Sequence, residues 1–115
     1  MNVIFTINDS PWGSTLGVTA LRMATALRGK GMTLEAIFFR EDGVYHAQRG
    51  RAGDHGTPDL FEAWKSLAET GGTRLLVCST SALRNLPEPV SAPFREAGLP
   101  EFMELMRQSD RVVAW

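Results

Sequence analysis

Apolar residues in this chain follow two alternating rhythms. Val3-Ile4-Phe5-Thr6-Ile7 is short, β-branched and almost wholly apolar, the pattern of a strand buried on both faces, and it predicts a central parallel strand. Asn8-Asp9-Ser10-Pro11-Trp12-Gly13-Ser14 ends that run, because its Pro and Gly break any period, and Ser14 or Thr15 stands where a helix cap is needed. The helix is expected from about residue 16 to 28. Leu16, Ala20, Met23, Ala24 and Leu27 fall on its apolar stripe, Arg22 and Thr25 face away, and Gly29 and Gly31 supply the stop. Thr33-Leu34-Glu35-Ala36-Ile37-Phe38-Phe39 repeats the strand pattern, so the chain opens strand, helix, strand, with a right-handed crossover as the default.

Residues 40–57 are polar and Gly-rich, and neither apolar rhythm continues through them. They are expected to form a long surface loop, of a length that is uncommon in compact domains and usually functional or disordered. Thr57-Pro58-Asp59 is a strong helix start, followed by a buried stripe of Leu60, Trp64, Leu67 and Ala68 and a stop at Gly71-Gly72. Arg74-Leu75-Leu76-Val77-Cys78 is a third strand with Cys78 at its carboxyl end. Ser79, Thr80 and Ser81 can cap a short helix through Leu83 and Arg84, before Pro87, Pro89 and Pro93 impose an irregular stretch. A short edge strand near Phe94 is weakly signalled. Gly98-Leu99-Pro100-Glu101 opens a last helix with Phe102, Met103, Leu105 and Met106 on its apolar side. Arg111-Val112-Val113-Ala114-Trp115 then closes the chain as a strand expected inside the sheet. Strands alternating with helices predict an α/β fold: a single three-layer domain over 1–115, flavodoxin-like, with a mostly parallel sheet of four or five strands and helices on both faces. In such a fold ligands and chemistry gather at the carboxyl ends of strands.

Composition narrows the function classes. The 115 residues are 43% hydrophobic and carry 12 Lys and Arg against 13 Asp and Glu, a net charge of −1. That size suits one core, and that balance gives no bulk attraction to nucleic acid or to an anionic membrane. The opening segment lacks the basic region, long apolar stretch and cleavage site of a signal peptide, and no run reaches the roughly 18 apolar residues of a membrane span, so a cytoplasmic protein is expected. One cysteine cannot close an internal disulfide, and His46 and His55 without a second thiol give no zinc-ligand spacing. No metal or organic cofactor is expected.

Cys78 is the leading candidate for chemistry. A strand's carboxyl edge, the start of a helix and a run of hydroxyl side chains together favour an anion, and so a thiolate or a persulfide. The competing reading is a small buried hydrophobe ending a strand. Without a Cys-x-x-Cys, dithiol exchange within the chain is excluded. His46 and His55 read as solvated loop residues, while Arg40, Arg49, Arg51 and Arg84 could steer an acidic partner or steady an anionic sulfur, or simply form a solvated face. The first loop, residues 10–17, lies where a flavodoxin-like domain holds phosphate. It has no G-x-G-x-x-G and no P-loop lysine, which leaves a helix cap beside a packed Trp12 as the simpler reading of it. Trp12, Trp64 and Trp115 read as core or interface anchors.

Taken in order, the opening strand with Ile7-Asn8-Asp9-Ser10-Pro11, then Ile37-Phe38-Phe39-Arg40-Glu41-Asp42-Gly43-Val44, Leu75-Leu76-Val77-Cys78, Gly98-Leu99 and Ser109-Asp110-Arg111-Val112-Val113 resemble the DsrE/DsrF-like superfamily, and within it the DsrE/TusD sulfur-carrier subunits. The resemblance spans essentially the whole chain. It implies a sulfurtransferase that accepts sulfane sulfur as a persulfide on Cys78 from a small TusA-like donor and passes it to a DsrC/TusE-like acceptor. It also implies assembly as a homo-oligomer, trimer or hexamer, or as a hetero-oligomer with DsrF/DsrH-like subunits. The alternative is a scaffold subunit of such an oligomer with an inert Cys78. The stretch Ser79-Thr80-Ser81-Ala82-Leu83-Arg84-Asn85 departs from the family's arginine followed by glycine, and the segment to Phe94 is shorter and proline-rich.

Overall fold

In a computed structural model that describes residues 1–12, 15–48 and 59–115, the strands are β1 (Asn2–Ile7), β2 (Thr33–Phe39), β3 (Arg74–Cys78), β4 (Phe94–Ala97) and β5 (Arg111–Ala114). The helices are α1 (Leu16–Gly29), α2 (Leu60–Gly71), α3 (Ser79–Asn85) and α4 (Leu99–Gln108). All five strands run parallel in the order β4-β3-β2-β1-β5. The chain therefore steps one way across the sheet from β1 to β4 and then returns past β1 to place β5. With crossovers of one hand, a reversal of direction moves the connecting helix to the opposite face.

The packing follows that rule. One face carries Phe5, Ile37, Phe39, Leu75 and Val77 beneath Ala20 and Ala24 of α1, Trp64 and Leu67 of α2, and Ala82 of α3. The other carries Ile4, Ala36, Phe38 and Leu76 beneath Phe102 and Leu105 of α4, with Phe38 and Phe102 stacked at 4.1 Å. The three-layer α/β architecture expected from the alternation is the one observed.

Local differences have physical causes. In α1 the buried residues are Gly17, Ala20 and Ala24, whereas Leu16 and Met23 are 37% and 43% exposed. Small side chains let the helix backbone lie close to the sheet, and the two larger ones roll outward, as Met103 does on α4. The Thr15 side chain makes no capping bond, and Ser14 lies outside the described residues. At α2 the cap is Asp59, whose carboxylate accepts from the Glu62 N–H at 3.3 Å; Thr57 and Pro58 are outside the described residues. The helix stops at Gly72, whose φ of 71° is a left-handed conformation that a side chain would resist. The weakly signalled strand near Phe94 forms, as the edge strand β4.

β5 corrects the sequence reading. It is the opposite edge rather than an interior strand, and Val112 is 42% exposed. An apolar run of four residues has the same appearance at an edge as at the centre, so its place is fixed only by the crossover from α4. No helix among the described residues is long and apolar enough to cross a membrane.

Candidate functional site

Three segments meet above the carboxyl ends of β1, β2 and β3. After β2 the chain enters a 3-10 helix, Glu41–Ala47, where the sequence suggested an aperiodic loop. Its buried residues are Gly43, Val44, His46 and Ala47, which repeat every three positions. That is the period of a 3-10 helix, and a search for periods of 2 and 3.6 misses it.

This helix is pinned to the first strand. The Arg40 N–H donates to the Ile7 carbonyl at 2.9 Å, and the Gly43 N–H donates to the Arg40 carbonyl at 2.7 Å. A Cβ on Gly43 would lie 2.0 Å from the Ile7 oxygen, so only glycine fits there. Between them Glu41 adopts φ 50°, a left-handed conformation uncommon outside glycine. The Glu41 N–H donates to the Ser81 hydroxyl oxygen at 3.1 Å, which ties the turn after β2 to α3.

His46 also departs from expectation. It is 1% exposed, not a solvated loop residue. The Trp64 indole N–H donates to Nδ1 at 3.0 Å, and Nε2 lies 3.1 Å from the Asp9 carbonyl oxygen. An indole only donates, so Nδ1 is the acceptor, the ring proton sits on Nε2, and Nε2–H donates to Asp9. Burial lowers the His46 pKa to about 4, although the Asp9 carbonyl and carboxylate pull it upward. The ring is thus neutral, satisfied at both nitrogens and packed against Phe39.

Cys78 is half-buried and free, the last residue of β3 and the residue that caps α3. Its burial raises the thiol pKa, but the Ser81 hydroxyl, the backbone N–H groups of Ser81 and Thr80, and the Arg40 charge together outweigh it, and the net shift is downward. The thiolate is favoured by hydrogen-bond donors and a nearby cation. Among the described residues, Arg40 Nε is a buried donor without a hydrogen-bond partner.

Of the other candidates, Arg40 comes to Cys78, whereas Arg84 is exposed on α3. Arg49, Arg51 and His55 lie outside the described residues, as do Gly13 and Ser14 of the first loop. Trp64 is fully buried; Trp12 packs on Tyr45 at 5.4 Å and Trp115 on Phe5 at 5.5 Å. No group of three or more His, Cys, Asp and Glu among the described residues could hold a metal ion. Sequence reasoning missed Ser81 as more than a cap. No local signal gives it, since its hydroxyl accepts from the Glu41 N–H, 40 positions away.

The site lies in a chain whose residues 1–115 match the family model described as the DsrE/DsrF-like family. It is similar to a protein named Sulfurtransferase TusD homolog from Vibrio vulnificus, 34% identical over 120 residues that cover 93% of this chain and 92% of the relative. It is also similar to the Sulfurtransferase TusD of Cronobacter sakazakii, 30% identical over 126 residues and covering 98% of each chain. The crystal structure of the ychN protein from E. coli superposes with a TM-score of 0.85 at 20% identity, covering 100% of this chain and 99% of that one.

Proposed function

The chain belongs to the DsrE/DsrF-like family, and we propose that it works as a sulfurtransferase of a sulfur relay, carrying sulfane sulfur as a persulfide on Cys78. The observation that carries the reading is the environment of that sulfur: half-buried, with two backbone N–H groups, the Ser81 hydroxyl and the Arg40 charge acting together to favour its anion. The names of the relatives from Vibrio vulnificus and Cronobacter sakazakii support the same activity.

The reaction is a transpersulfidation. The Cys78 thiolate attacks the outer sulfur of a donor persulfide, the donor's S–S bond breaks, and the donor thiolate leaves with the bonding electrons. The outer sulfur keeps its proton and becomes the terminus of Cys78–S–SH. An acceptor thiolate then attacks that terminal sulfur, and Cys78 leaves as a thiolate. There is no net oxidation, so the relay needs no external oxidant or reductant. A low pKa serves both steps, because it populates the attacking anion at neutral pH and makes Cys78 a better leaving group. Residues 1–115 act as one domain in this reading, in the cytoplasm. The donor is TusA-like and the acceptor DsrC/TusE-like, and the protein assembles with copies of itself or with DsrF/DsrH-like subunits.

The test is the intact mass of native protein after incubation with polysulfide, for wild type and Cys78→Ser. The expected result is a gain of about one sulfur, roughly 32 mass units, reversed by reductant and absent from the variant. An unmodified folded wild type whose cysteine reacts only after denaturation would reject the carrier and favour the scaffold.

A further inference from the structure

We propose that the β5 side of the molecule is the face on which a second copy of this chain docks, the two β5 edges pairing antiparallel about a two-fold axis. This inference deepens the reading that the protein assembles with copies of itself, and it draws nothing from the chemistry of Cys78. The Trp115 N–H donates to the Thr6 carbonyl at 2.8 Å, and the Trp115 carbonyl accepts from the Asn8 N–H at 3.1 Å, so both backbone groups of that residue serve β1. Along a strand the backbone groups of successive residues point to opposite sides, so Val113 shares the side of Trp115, while Val112 and Ala114 turn theirs outward. The order β4-β3-β2-β1-β5 puts no described strand beyond β5. Its outer edge is therefore open to pairing.

That edge is apolar on both faces of the sheet. Of the seven large apolar side chains exposed among the described residues, Leu16, Met23, Met103 and Val112 gather there. On α1, Arg28 donates to the Leu67 carbonyl of α2 at 3.1 Å, and a Cβ on Gly17 would meet Leu60 of α2, so that flank of the helix faces α2. Leu16 and Met23 lie on the other flank, toward β5, on the face where Val113 and Trp115 are partly buried. On the opposite face, Glu101 of α4 accepts from Arg95 of β4 at 3.2 Å. Met103 lies roughly 160° round the helix from Glu101, on the flank turned from β4 toward β5. Val112 is 42% exposed on that same face.

The two edges of the sheet identify the occupant. A two-fold antiparallel pair places one residue directly opposite its own copy. At the middle of β4 that residue is Arg95 or Glu96, both exposed, so like charges would meet. On β5 it is Val112, whose outward N–H and C=O exchange two hydrogen bonds with those of the copy while valine packs on valine. Arg111 then stands opposite Val113 and Asp110 opposite Ala114, and no like charges face each other. The β4 edge opposes a second copy; the β5 edge is complementary to itself.

The test is sedimentation velocity of the folded full chain over a range of concentrations, for wild type, Val112→Lys, Met103→Glu and Glu96→Lys, with circular dichroism to confirm folding. Wild type is expected as a dimer, or as a hexamer built on the same two-fold. Val112→Lys sets a charge against its own copy and weakens association by ~100-fold. Met103→Glu weakens it by ~10-fold, and Glu96→Lys, at the far edge, leaves it unchanged. A wild type that stays monomeric, or that forms only a trimer, overturns the proposal. So does association undiminished in folded Val112→Lys and Met103→Glu, or weakened as much by Glu96→Lys. If Val112→Lys does not fold, Met103→Glu decides, because that side chain is exposed on α4. A monomer rejects self-assembly itself, whereas an oligomer indifferent to these substitutions rejects only this face. None of these readouts involves Cys78, so each is separate from the failure of wild type to take up sulfur.

Discussion

His46 and Cys78 both lie at the side of the sheet where the strands have their carboxyl ends, both have pKa values below the ordinary, and the two shifts mean opposite things. For the histidine, burial dominates and the lowered value marks a neutral ring. For the half-buried cysteine, hydrogen-bond donors and a cation outweigh burial, and the lowered value marks an anion. The histidine is sealed between Phe39, Trp64 and the Asp9 carbonyl, with no donor or acceptor left to give. The cysteine remains partly open to solvent. The difference teaches that a perturbed pKa becomes a reactive site only where the favoured form is the reactive one and a partner can reach it.

The largest effect that would test this division is Trp64→Ala. It removes a fully buried indole and leaves the acceptor at His46 Nδ1 empty, so a loss of about 3–5 kcal/mol in urea unfolding is expected, with the pH midpoint of Cys78 alkylation by iodoacetamide in the folded variant unmoved. A shifted midpoint would mean that the two clusters are coupled, and the division would fail.

Next comes acid. The native His46 takes up its proton only near pH 4, whereas in the unfolded chain it does so near ~6.5. Between those values the unfolded state binds a proton that the folded state refuses, so stability is greatest above ~6.5, falls as pH drops through the window, and levels off below about 4. The full loss is about 3 kcal/mol. Unfolding free energies measured across the window for wild type and His46→Gln check it: the variant should lose this slope. Glu101 and Glu104, also lowered by arginine partners, are solvent-facing and screened, and add little. An equal slope in both proteins would exclude His46 as its source.

The smallest effect concerns the support of the histidine cluster. Asp59→Ala removes the cap of the helix that carries Trp64, and about 1 kcal/mol should be lost in thermal or urea unfolding. The alkylation midpoint of Cys78 should again stay where it is.

The particular residues explain what was readable beforehand. Cys78 could be placed because an apolar run and a cluster of hydroxyls bracket it, and both are local signals. Phe102 and Leu105 were found by helical spacing, and β3 by its continuous apolar run. His46 was misread because its burial depends on Trp64, 18 positions away, and on the Asp9 carbonyl, 37 away. Leu16 and Met23 were misread because hydrophobicity does not say how closely a helix approaches a sheet, whereas Gly17, Ala20 and Ala24 do. Arg40 was one arginine among several until the fold brought it to Cys78.

By itself, then, the order of residues determined the alternation of strands and helices, the parallel α/β class and the position of the one cysteine at a strand's end. Each depends on contacts or periods within a few residues. The tertiary structure alone decided that β5 lies at the edge, that His46 is sealed and neutral, that Glu41 is tied to Ser81, and that the charge of Arg40 bears on Cys78. Those outcomes depend on which distant segments meet, and the energies of desolvation and charge that set a pKa exist only once they have met.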